Sequence, residues 1–590
     1  MSDFTPAGLQ RCAAIAWRRR FVAALNAILY AALLLWLGWI LSHGGWSAAD
    51  AAILFAFAVA APWTVVGVCN AALGFWLLHG RRDGLAQTAP FLASGGAGAP
   101  LTKRVAMLMT LRNEDAGRAI ARFHAVRASV ERTGAGAFFD WFVLSDTNDP
   151  EIAQQEEAAI AVWRAEDDAV RLVYRRRADN HGYKAGNIRD FCERWGADYE
   201  FMVPLDADSL MDGETLVYMA QICEAHPRLG ILQSLVVGSP SRSAFARIFQ
   251  FGMRHGMRCY TMGASWWSAD CGPFWGHNAF LRVAPFRDYC DLPDLKNGAS
   301  ILSHDQIEAV LMRRAGYEVR VLPVETGSFE ENPPTLLDFV TRELRWCRGN
   351  MQYVGLLNLP GLLPMSRFQL FWAVSMFIGA PAALAILLLA PLSAAQAPAD
   401  FPSGALKAFY VLFLVFHLSP KLAGFADVAL TPGELQRYGG ALRFFIGAGV
   451  EIVSSFVIGA VTTFSAGCFV ITLPLGRVVQ WSGQARDAHA LGLRDATRAL
   501  WPHAAFGAML MTLGFVVAPA LLIWSLPLTL GYVVAIPFAV ATASPRLGEA
   551  CKRLGLFRTP EEDDFGRLFP KSRPAPRAVE DAEREVVGAS

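Results

Sequence analysis

The chain has 590 residues, of which 54% are hydrophobic and 18% charged, and its formal net charge is +1. The mean hydropathy of +0.31 is too high for a soluble protein of this length. The near-zero charge gives no reason to expect nucleic acid as a partner, and the ten scattered cysteines predict neither a disulfide framework nor a zinc site.

The apolar excess lies at both ends of the chain and spares the middle. Crossing the ~30 Å hydrocarbon core of a membrane takes about 20 apolar residues. Four runs meet that length, namely residues 21–41, 52–78, 369–392 and 405–429. A further run, 504–540, has room for two short spans, and we expect the turn between them near Pro527.

Arginines next to the apolar runs predict their orientation, because positive residues are retained on the cytoplasmic side. Arg18, Arg19 and Arg20 precede the first run, and Arg81 and Arg82 follow the second. The N-terminus and residues 81–367 are therefore predicted to be cytoplasmic.

The apolar run 444–474 has arginines on both sides, so both of its flanks are predicted to be cytoplasmic. We expect this run to turn back around 459–467, as two short spans or a re-entrant pair. A single long span is the alternative. The polar segment 480–486 that follows contains Trp481 and is a candidate lid over a nucleotide site.

The predicted organisation has four parts. An N-terminal membrane domain with two spans covers residues 1–92, and a cytoplasmic domain ending in an interfacial helix covers 93–358. A C-terminal membrane domain of about six segments covers 359–545. Residues 546–590 form a cytoplasmic tail, and the composition of residues 559–590 predicts disorder in the last third of that stretch.

In the cytoplasmic part, polar residues follow strand-like apolar runs. Runs 105–110, 141–144 and 201–205 each lead into a polar loop and then a helical pattern, which is typical of a parallel sheet with a ligand crevice at its carboxyl edge. Asp206 and Asp208 follow the third run, and residues two apart in a strand point to the same face. Their carboxylates could share one Mg²⁺ or Mn²⁺, although a simple acidic turn is the alternative.

The polar motifs occur in a specific order. They are Thr110-Leu111-Arg112-Asn113-Glu114, Ser145-Asp146, Lys184-Ala185-Gly186-Asn187, Asp206-x-Asp208, Ser303-His304-Asp305 and Arg342-x-x-Arg345-Trp346. This order resembles the inverting GT-A-fold glycosyltransferases of family 2, in particular their membrane-embedded processive members. His304 replaces the glutamate of the usual Ser/Thr-Glu-Asp, and Arg342 replaces the glutamine of Gln-x-x-Arg-Trp. These variants, with Gly276-His277-Asn278, look most like the glucans biosynthesis glucosyltransferase H family.

The resemblance implies an α-helical integral protein of the bacterial inner membrane, with a cytoplasmic, Rossmann-like α/β GT-A domain that binds a nucleotide sugar and with both termini cytoplasmic. It implies an inverting, processive glucosyltransferase that uses UDP-glucose to build the linear β-1,2-glucan backbone of osmoregulated periplasmic glucans. The growing glucan and membrane lipid are then partners. Whether acyl carrier protein and a periplasmic glucan-processing protein join the complex stays open.

The chemistry of such a transfer suggests roles for the motifs. Asp208, supported by Asp206, is expected to hold the metal that stabilises the departing diphosphate. Arg345 is expected to close on that diphosphate while Trp346 flanks the acceptor sugar. Asp305 is the candidate general base for the acceptor hydroxyl, and a single displacement inverts the anomeric carbon.

The resemblance assigns further substrate contacts, with Asp146 and Glu114 on the nucleotide and Lys184 on a phosphate. The remaining substrate-binding candidates are Thr110, Arg112, Arg342 and His277. We expect His277 to order its loop rather than to bind metal, because the sequence offers no second histidine at ligand spacing.

Structural alternatives remain for several of these residues. Asp146 could cap the helix near Pro150, and Asp305 could belong to a capping box formed by Ser303 and Gln306. Trp346 could be ordinary core or interface packing.

Functional alternatives also remain. They are a cellulose-like β-1,4-glucan synthase, a transferase of single sugars to a lipid phosphate, and a transporter with a regulatory domain.

Overall fold

The computed structural model describes residues 6–96, 98–166, 171–295, 298–476 and 488–569. A sheet of eight strands occupies the middle of the chain, and long apolar helices precede and follow it. The strands are β1 (Val105–Leu111), β2 (Phe139–Ser145), β3 (Leu172–Arg176), β4 (Phe201–Leu205), β5 (Leu210–Met211), β6 (Leu229–Gly238), β7 (Ala279–Arg282) and β8 (Glu318–Glu330).

Helices make up most of the remaining described chain. In chain order they are α1 (Pro6–Leu41), α2 (Ala48–His79), α3 (Gly84–Thr88), α4 (Ala116–Arg132), α5 (Pro150–Glu166), α6 (Tyr183–Arg194), α7 (Gly213–Ala225), α8 (Ala244–Ser268), α9 (Val283–Tyr289), α10 (Asp305–Arg314), α11 (Leu336–Met351), α12 (Pro364–Ala395), α13 (Ser403–Leu430), α14 (Glu434–Arg437), α15 (Ala441–Thr472), α16 (Leu493–Val517), α17 (Pro519–Val533), α18 (Ala535–Ala543), α19 (Pro545–Leu554) and α20 (Glu561–Leu568).

The sheet has the strand order β3-β2-β1-β4-β7-β6-β8-β5. Strand β1 pairs in parallel with β2 and β4, and β2 pairs in parallel with β3, so these four strands end at one edge. Strand β7 runs antiparallel between β4 and β6, whereas β6 and β8 are parallel. This mixed sheet, with helices connecting its strands, confirms the GT-A arrangement predicted from the motifs.

Both faces of the sheet are buried. In β1, Met107 and Met109 contribute to one hydrophobic cluster, whereas Ala106 and Leu108 contribute to another. Successive strand residues point to opposite faces, so a strand covered on both sides reads as a continuous apolar run. That is why runs 105–110, 141–144 and 201–205 could be recognised as strands.

Within the described ranges, six helices are long and apolar enough to cross a membrane. They are Ala13–Leu41, Ala48–His79, Pro364–Ala395, Ser403–Leu430, Ala441–Leu475 and Leu493–Val517, and α17 and α18 form a further pair bent by 54°. The turn expected near Pro527 is wrong, because Pro527 lies inside α17. The chain breaks instead at Ala518, where the following Pro519 disfavours a helical conformation, and again at Val534.

The expected turn within 444–474 is also wrong. Residues Ala441–Thr472 form one continuous helix, α15. Gly467 serves close packing rather than a turn, because a Cβ atom there would lie 2.5 Å from Leu384 Cδ1 on α12. The glycine that favoured a turn in the sequence therefore lets two helices approach each other.

Both ends of α15 contact helices of the sheet-bearing part. Near its start, the Phe444 ring lies 5.5 Å from that of Phe251 on α8. Near its end, Phe469 packs in one hydrophobic cluster with Cys347 of α11. Both ends of α15 therefore lie against the sheet-bearing part, and the chain between them does not turn back.

The sheet-bearing part and the apolar helices pack closely against each other. A Cβ atom on Gly263 of α8 would lie 2.0 Å from the carbonyl oxygen of Asn70 on α2. At the other end of the chain, Phe565 and Phe569 pack on Phe329 of β8, with ring centroids 5.4 and 6.0 Å apart. The part of the tail predicted to be disordered and the candidate lid 480–486 lie outside the described residues.

Candidate active site

Side chains from three elements meet where β4 ends. Asp206 follows β4 directly, and its carboxylate contacts the ammonium group of Lys184 on α6. On the neighbouring strand β1, the hydroxyl of Thr110 donates to the carbonyl oxygen of Leu205 at 3.2 Å. The lysine expected to meet a phosphate thus pairs with Asp206, at the sheet edge where a ligand crevice was predicted.

A second group of acids lies beside the first. Asp208 is buried, and Nε2 of His277 lies 3.4 Å from Oε2 of Glu330, the last residue of β8. Burial raises the pKa of the Glu330 carboxyl; His277 lowers it, and the Asp208 and Asp206 carboxylates raise it further. Glu330 could not be predicted from the sequence, because no local pattern marks residue 330 as a neighbour of residue 208.

The chemistry of these acids fits a divalent cation. Asp206 and Asp208 offer carboxylate oxygens, the ligands that Mg²⁺ and Mn²⁺ favour, and a cation would neutralise the negative charge gathered near Glu330. Where the chain is described, no group of three or more His, Cys, Asp or Glu side chains is arranged to hold a metal. Two protein carboxylates completed by substrate phosphates form a usual Mg²⁺ site.

The candidate base Asp305 is the first residue of α10, and it is half-buried. The loop that carries His277 packs against it, since a Cβ atom on Gly276 would lie 3.5 Å from Asp305 Cβ. Burial raises the pKa of the Asp305 carboxyl; His304 lowers it and Glu308 raises it. A carboxylate with a raised pKa is a better proton acceptor near neutral pH.

Asp305 is not the N-cap residue of α10. The N-cap residue of α10 is His304, and its side chain makes no capping hydrogen bond. Gln306, the other member of the expected capping box, donates from Nε2 to the carbonyl oxygen of Phe274 at 3.0 Å. The capping-box interpretation is therefore wrong.

Asp146, at the start of the loop after β2, is held by an arginine that the sequence analysis did not single out. Arg177 donates from Nε and Nη2 to the two carboxylate oxygens of Asp146, each at 2.7 Å. Asp146 is not the cap of α5, because Asp149 accepts the backbone N–H of Glu151 there at 3.0 Å. Its partner Arg177 lies 31 residues further along the chain, in the loop after β3.

The loops after β1 and β2 lie together beside this ion pair. Asn113 Nδ2 donates to Asn148 Oδ1 at 2.7 Å, which joins the two loops. Arg112 stacks on the Tyr183 ring at 5.7 Å, and Glu114 follows in the same loop. The residues predicted to meet the nucleotide therefore gather at the β1–β3 end of the sheet edge.

Helix α11 carries the arginine-tryptophan motif. Arg342 and Arg345 are buried, whereas Trp346 is 44% exposed. The Arg342 guanidinium carbon lies 4.5 Å from the Trp346 ring centroid, 5.1 Å from that of Phe339 and 5.8 Å from that of Phe249. Core packing of Trp346 is thus wrong, and Arg342 is the stacking partner of this exposed indole.

Helix α11 also packs against the segment that precedes Asp305. A Cβ atom on Gly349 would lie 2.0 Å from Ser303 Oγ, so only a glycine allows this approach. The Tyr353 hydroxyl, just after α11, donates to the carbonyl oxygen of Ser303 at 2.8 Å. The candidate base and Trp346 are therefore carried by elements in direct contact.

Comparison with known proteins gives a consistent result. A family model for glycosyl transferase family group 2 matches residues 201–422. A glucans biosynthesis glucosyltransferase H from Caulobacter vibrioides is 37% identical over 522 residues, covering 84% of this chain and 77% of the relative. Proteins of the same name from Rhodopseudomonas palustris and Xanthomonas campestris are 36% and 33% identical, covering 93% and 95% of this chain and 78% and 90% of those relatives.

A solved mannosyltransferase from Pyrobaculum calidifontis, in complex with GDP-Man and Mn²⁺, is similar to this chain in structure. It is 14% identical, and the similarity covers 64% of this chain and 99% of that chain with a TM-score of 0.39.

Proposed function

Since this chain belongs to the glucans biosynthesis glucosyltransferase H family, we propose that it polymerises glucose from UDP-glucose into the linear β-1,2-glucan backbone of osmoregulated periplasmic glucans. The chain is a glycosyltransferase with a family 2 domain. The donor, the linkage, the processivity and the export of the product are the proposed parts. The observation that carries the mechanism is the placement of Asp305, a half-buried carboxylate with a raised pKa, across one loop from the Asp206–Asp208 acids.

In the proposed reaction the acceptor hydroxyl oxygen attacks the anomeric carbon of the glucose. Its proton passes to the Asp305 carboxylate. The bond from the anomeric carbon to the diphosphate oxygen breaks, and UDP leaves with the electron pair. One displacement from the opposite face inverts an α-linked donor into a β-linked product.

Stabilising the diphosphate is the main electrostatic task of such a site. Asp208 and Asp206 would hold a Mg²⁺ or Mn²⁺, which supplies positive charge to the diphosphate oxygens when bound. Arg345 would add a fixed positive charge, while Trp346 presents an exposed ring to the acceptor sugar. Lys184 neutralises Asp206 without substrate and would turn to a phosphate when the nucleotide arrives.

We place the protein in the bacterial inner membrane as a multi-pass protein, with the catalytic domain and both termini cytoplasmic. Support comes from the six apolar helices and from the arginines beside the first two of them. The apolar helices would carry the growing glucan outward, which is consistent with their direct packing on α8 and α11.

The test is the Asp305→Asn variant of the purified full-length protein. We expect turnover to fall by about 10²- to 10⁴-fold, the usual contribution of a general base, with UDP-glucose affinity unchanged. Asp288→Asn, which alters an exposed carboxylate on α9, is the matched control. Loss of UDP-glucose binding together with turnover would contradict the role of Asp305, and a product without β-1,2 linkages would overturn the proposed polymer.

A further inference from the structure

An ion pair lies directly beside the candidate base. His304 Nδ1 is 2.8 Å from Oε2 of Glu308, one helical turn further along α10. The two side chains are 11% and 2% exposed. Burying an isolated charge is costly, so each partner makes the charge of the other tolerable.

This pair results from a departure in the motif. In the usual family 2 motif, Ser/Thr-Glu-Asp, the residue before the base is a glutamate, whereas here it is His304. The nearby acid is instead Glu308, three residues after Asp305. In the usual motif the base follows a negatively charged residue. Here Asp305 instead lies beside the ion pair of His304 and Glu308, which has no net charge.

The charged and titratable groups around the pair come from four elements. His304 faces Glu308, Asp305 and, from α6, Lys184. Glu308 also faces Cys290, just after α9, and burial raises the pKa of that thiol well above its ordinary value, so Cys290 remains neutral.

The fourth element is the turn after α11. Asp305 faces His304, Glu308 and the hydroxyl of Tyr353. Burial raises the pKa of Tyr353 well above its ordinary value, so this group is neutral too.

The effect of the pair on Asp305 has a definite sign. Burial lowers the pKa of His304, but Glu308 and Asp305 together raise it above its ordinary value. The imidazolium in turn lowers the pKa of Asp305, against burial and Glu308, which both raise it. Removing the positive charge of His304 should therefore make Asp305 harder to ionise.

We propose that His304 and Glu308 are a positioning pair whose imidazolium keeps Asp305 in its ionised, proton-accepting form. The inference rests on the proposed function, because it takes Asp305 as the base. It assigns no contact between His304 and the substrate. His304 would set the pH range in which the base is competent, and Glu308 would keep His304 charged.

The test is the pH profile of kcat for His304→Asn in the full-length protein. Asparagine keeps a neutral N–H donor toward Glu308 and removes the positive charge. We expect the acidic limb to move to higher pH by about 1 unit, so that turnover on that limb falls about tenfold and recovers as the pH rises. UDP binding should stay close to wild type, whereas the thermal stability should fall, because Glu308 then lacks its charged partner.

Two further variants make the result decisive. Glu308→Gln should shift the limb in the same direction but less, because it removes support for the imidazolium and also removes a negative charge beside Asp305. His226→Asn, whose histidine bonds to Ser94 outside the site, should leave the limb in place. A wild-type profile for His304→Asn, or a uniform loss of kcat at every pH in that variant, would overturn the proposal.

Failure of the proposed function is a separate outcome of the same experiments. If Asp305→Asn retains turnover, the base assignment fails and the role of the pair fails with it. If Asp305→Asn is inactive and His304→Asn keeps the wild-type limb, the inference about the pair alone is wrong.

Discussion

Replacing Arg342 with glutamine should slow the transfer of glucose to the acceptor sugar and leave the binding of UDP-glucose intact. The change installs the residue that the related motif Gln-x-x-Arg-Trp carries at this place. In this chain the guanidinium lies 4.5 Å from the Trp346 ring and is itself buried. The structure therefore predicts that Arg342 orients the indole, whereas the sequence analysis placed it on the substrate.

The expected magnitude follows from the partial burial of this stack. A cation–π contact contributes about 0.5–1 kcal/mol when exposed and about 2 kcal/mol when desolvated. With Arg342 buried and Trp346 44% exposed, we take about 1–2 kcal/mol, which corresponds to roughly a 5- to 30-fold slower elongation. The KM for UDP-glucose should change by less than about twofold, because the substitution does not alter the residues proposed to bind the donor.

A double-mutant cycle measures the contact directly. Elongation rates of Arg342→Gln, Trp346→Ala and the double variant should give a coupling energy of about 1 kcal/mol, as expected for residues in contact. Arg194→Gln, an exposed arginine paired with Asp190 on α6, should be additive with Trp346→Ala. Additivity in the first cycle, or a large rise in the KM for UDP-glucose, would refute the stacking role and return Arg342 to the diphosphate.

Two further predictions concern the metal and the topology. Asp208→Ala should abolish the Mg²⁺ or Mn²⁺ dependence of UDP binding, measured by calorimetry, and lower kcat by at least about 10²-fold; full activity of the wild-type enzyme in EDTA would show the metal assignment to be wrong. A reporter fused after Arg558 should behave as cytoplasmic, because Phe565 and Phe569 of the following segment pack on β8. A periplasmic signal there would reverse the predicted orientation of the C-terminal part.

Local patterns were enough to predict the parts of the site that lie at strand ends. The end of β4 could be placed because a fully buried strand is a continuous apolar run that stops at the first carboxylate, Asp206. The resemblance of Ser303 and Gln306 to a capping box likewise indicated that a helix begins here, and α10 runs from Asp305 to Arg314. In both cases the signal lies within about ten residues of the chain.

Contacts between distant segments could not be predicted in this way. Arg177 reaches Asp146 across 31 residues, and Glu330 comes beside Asp208 only because β8 pairs with β5. Neither residue stands in a pattern that differs from an ordinary surface charge. The pair of His304 and Glu308 is the exception, because its spacing of four residues places both side chains on one face of a helix.

The continuity of α15 could not be predicted from hydropathy for a related reason. A helix buried against protein and a helix buried in lipid need the same apolar residues, so composition alone does not say which one a run is. The contacts separate the two cases at each end, because Phe444 lies against α8 and Phe469 against α11. Arginines on both flanks do not require a turn between them, and the turn inferred from them is wrong.

Helix α11 connects the site to the apolar helices through opposite faces. Gly349 packs against Ser303, next to the candidate base, whereas Cys347 packs with Phe377 of α12 and Phe469 of α15. A displacement of α12 or α15 should therefore also displace α11, which carries Arg345 and Trp346, because closely packed side chains leave no free space between these helices. If the product leaves along these helices as proposed, its path begins beside the helix that carries Arg345 and Trp346.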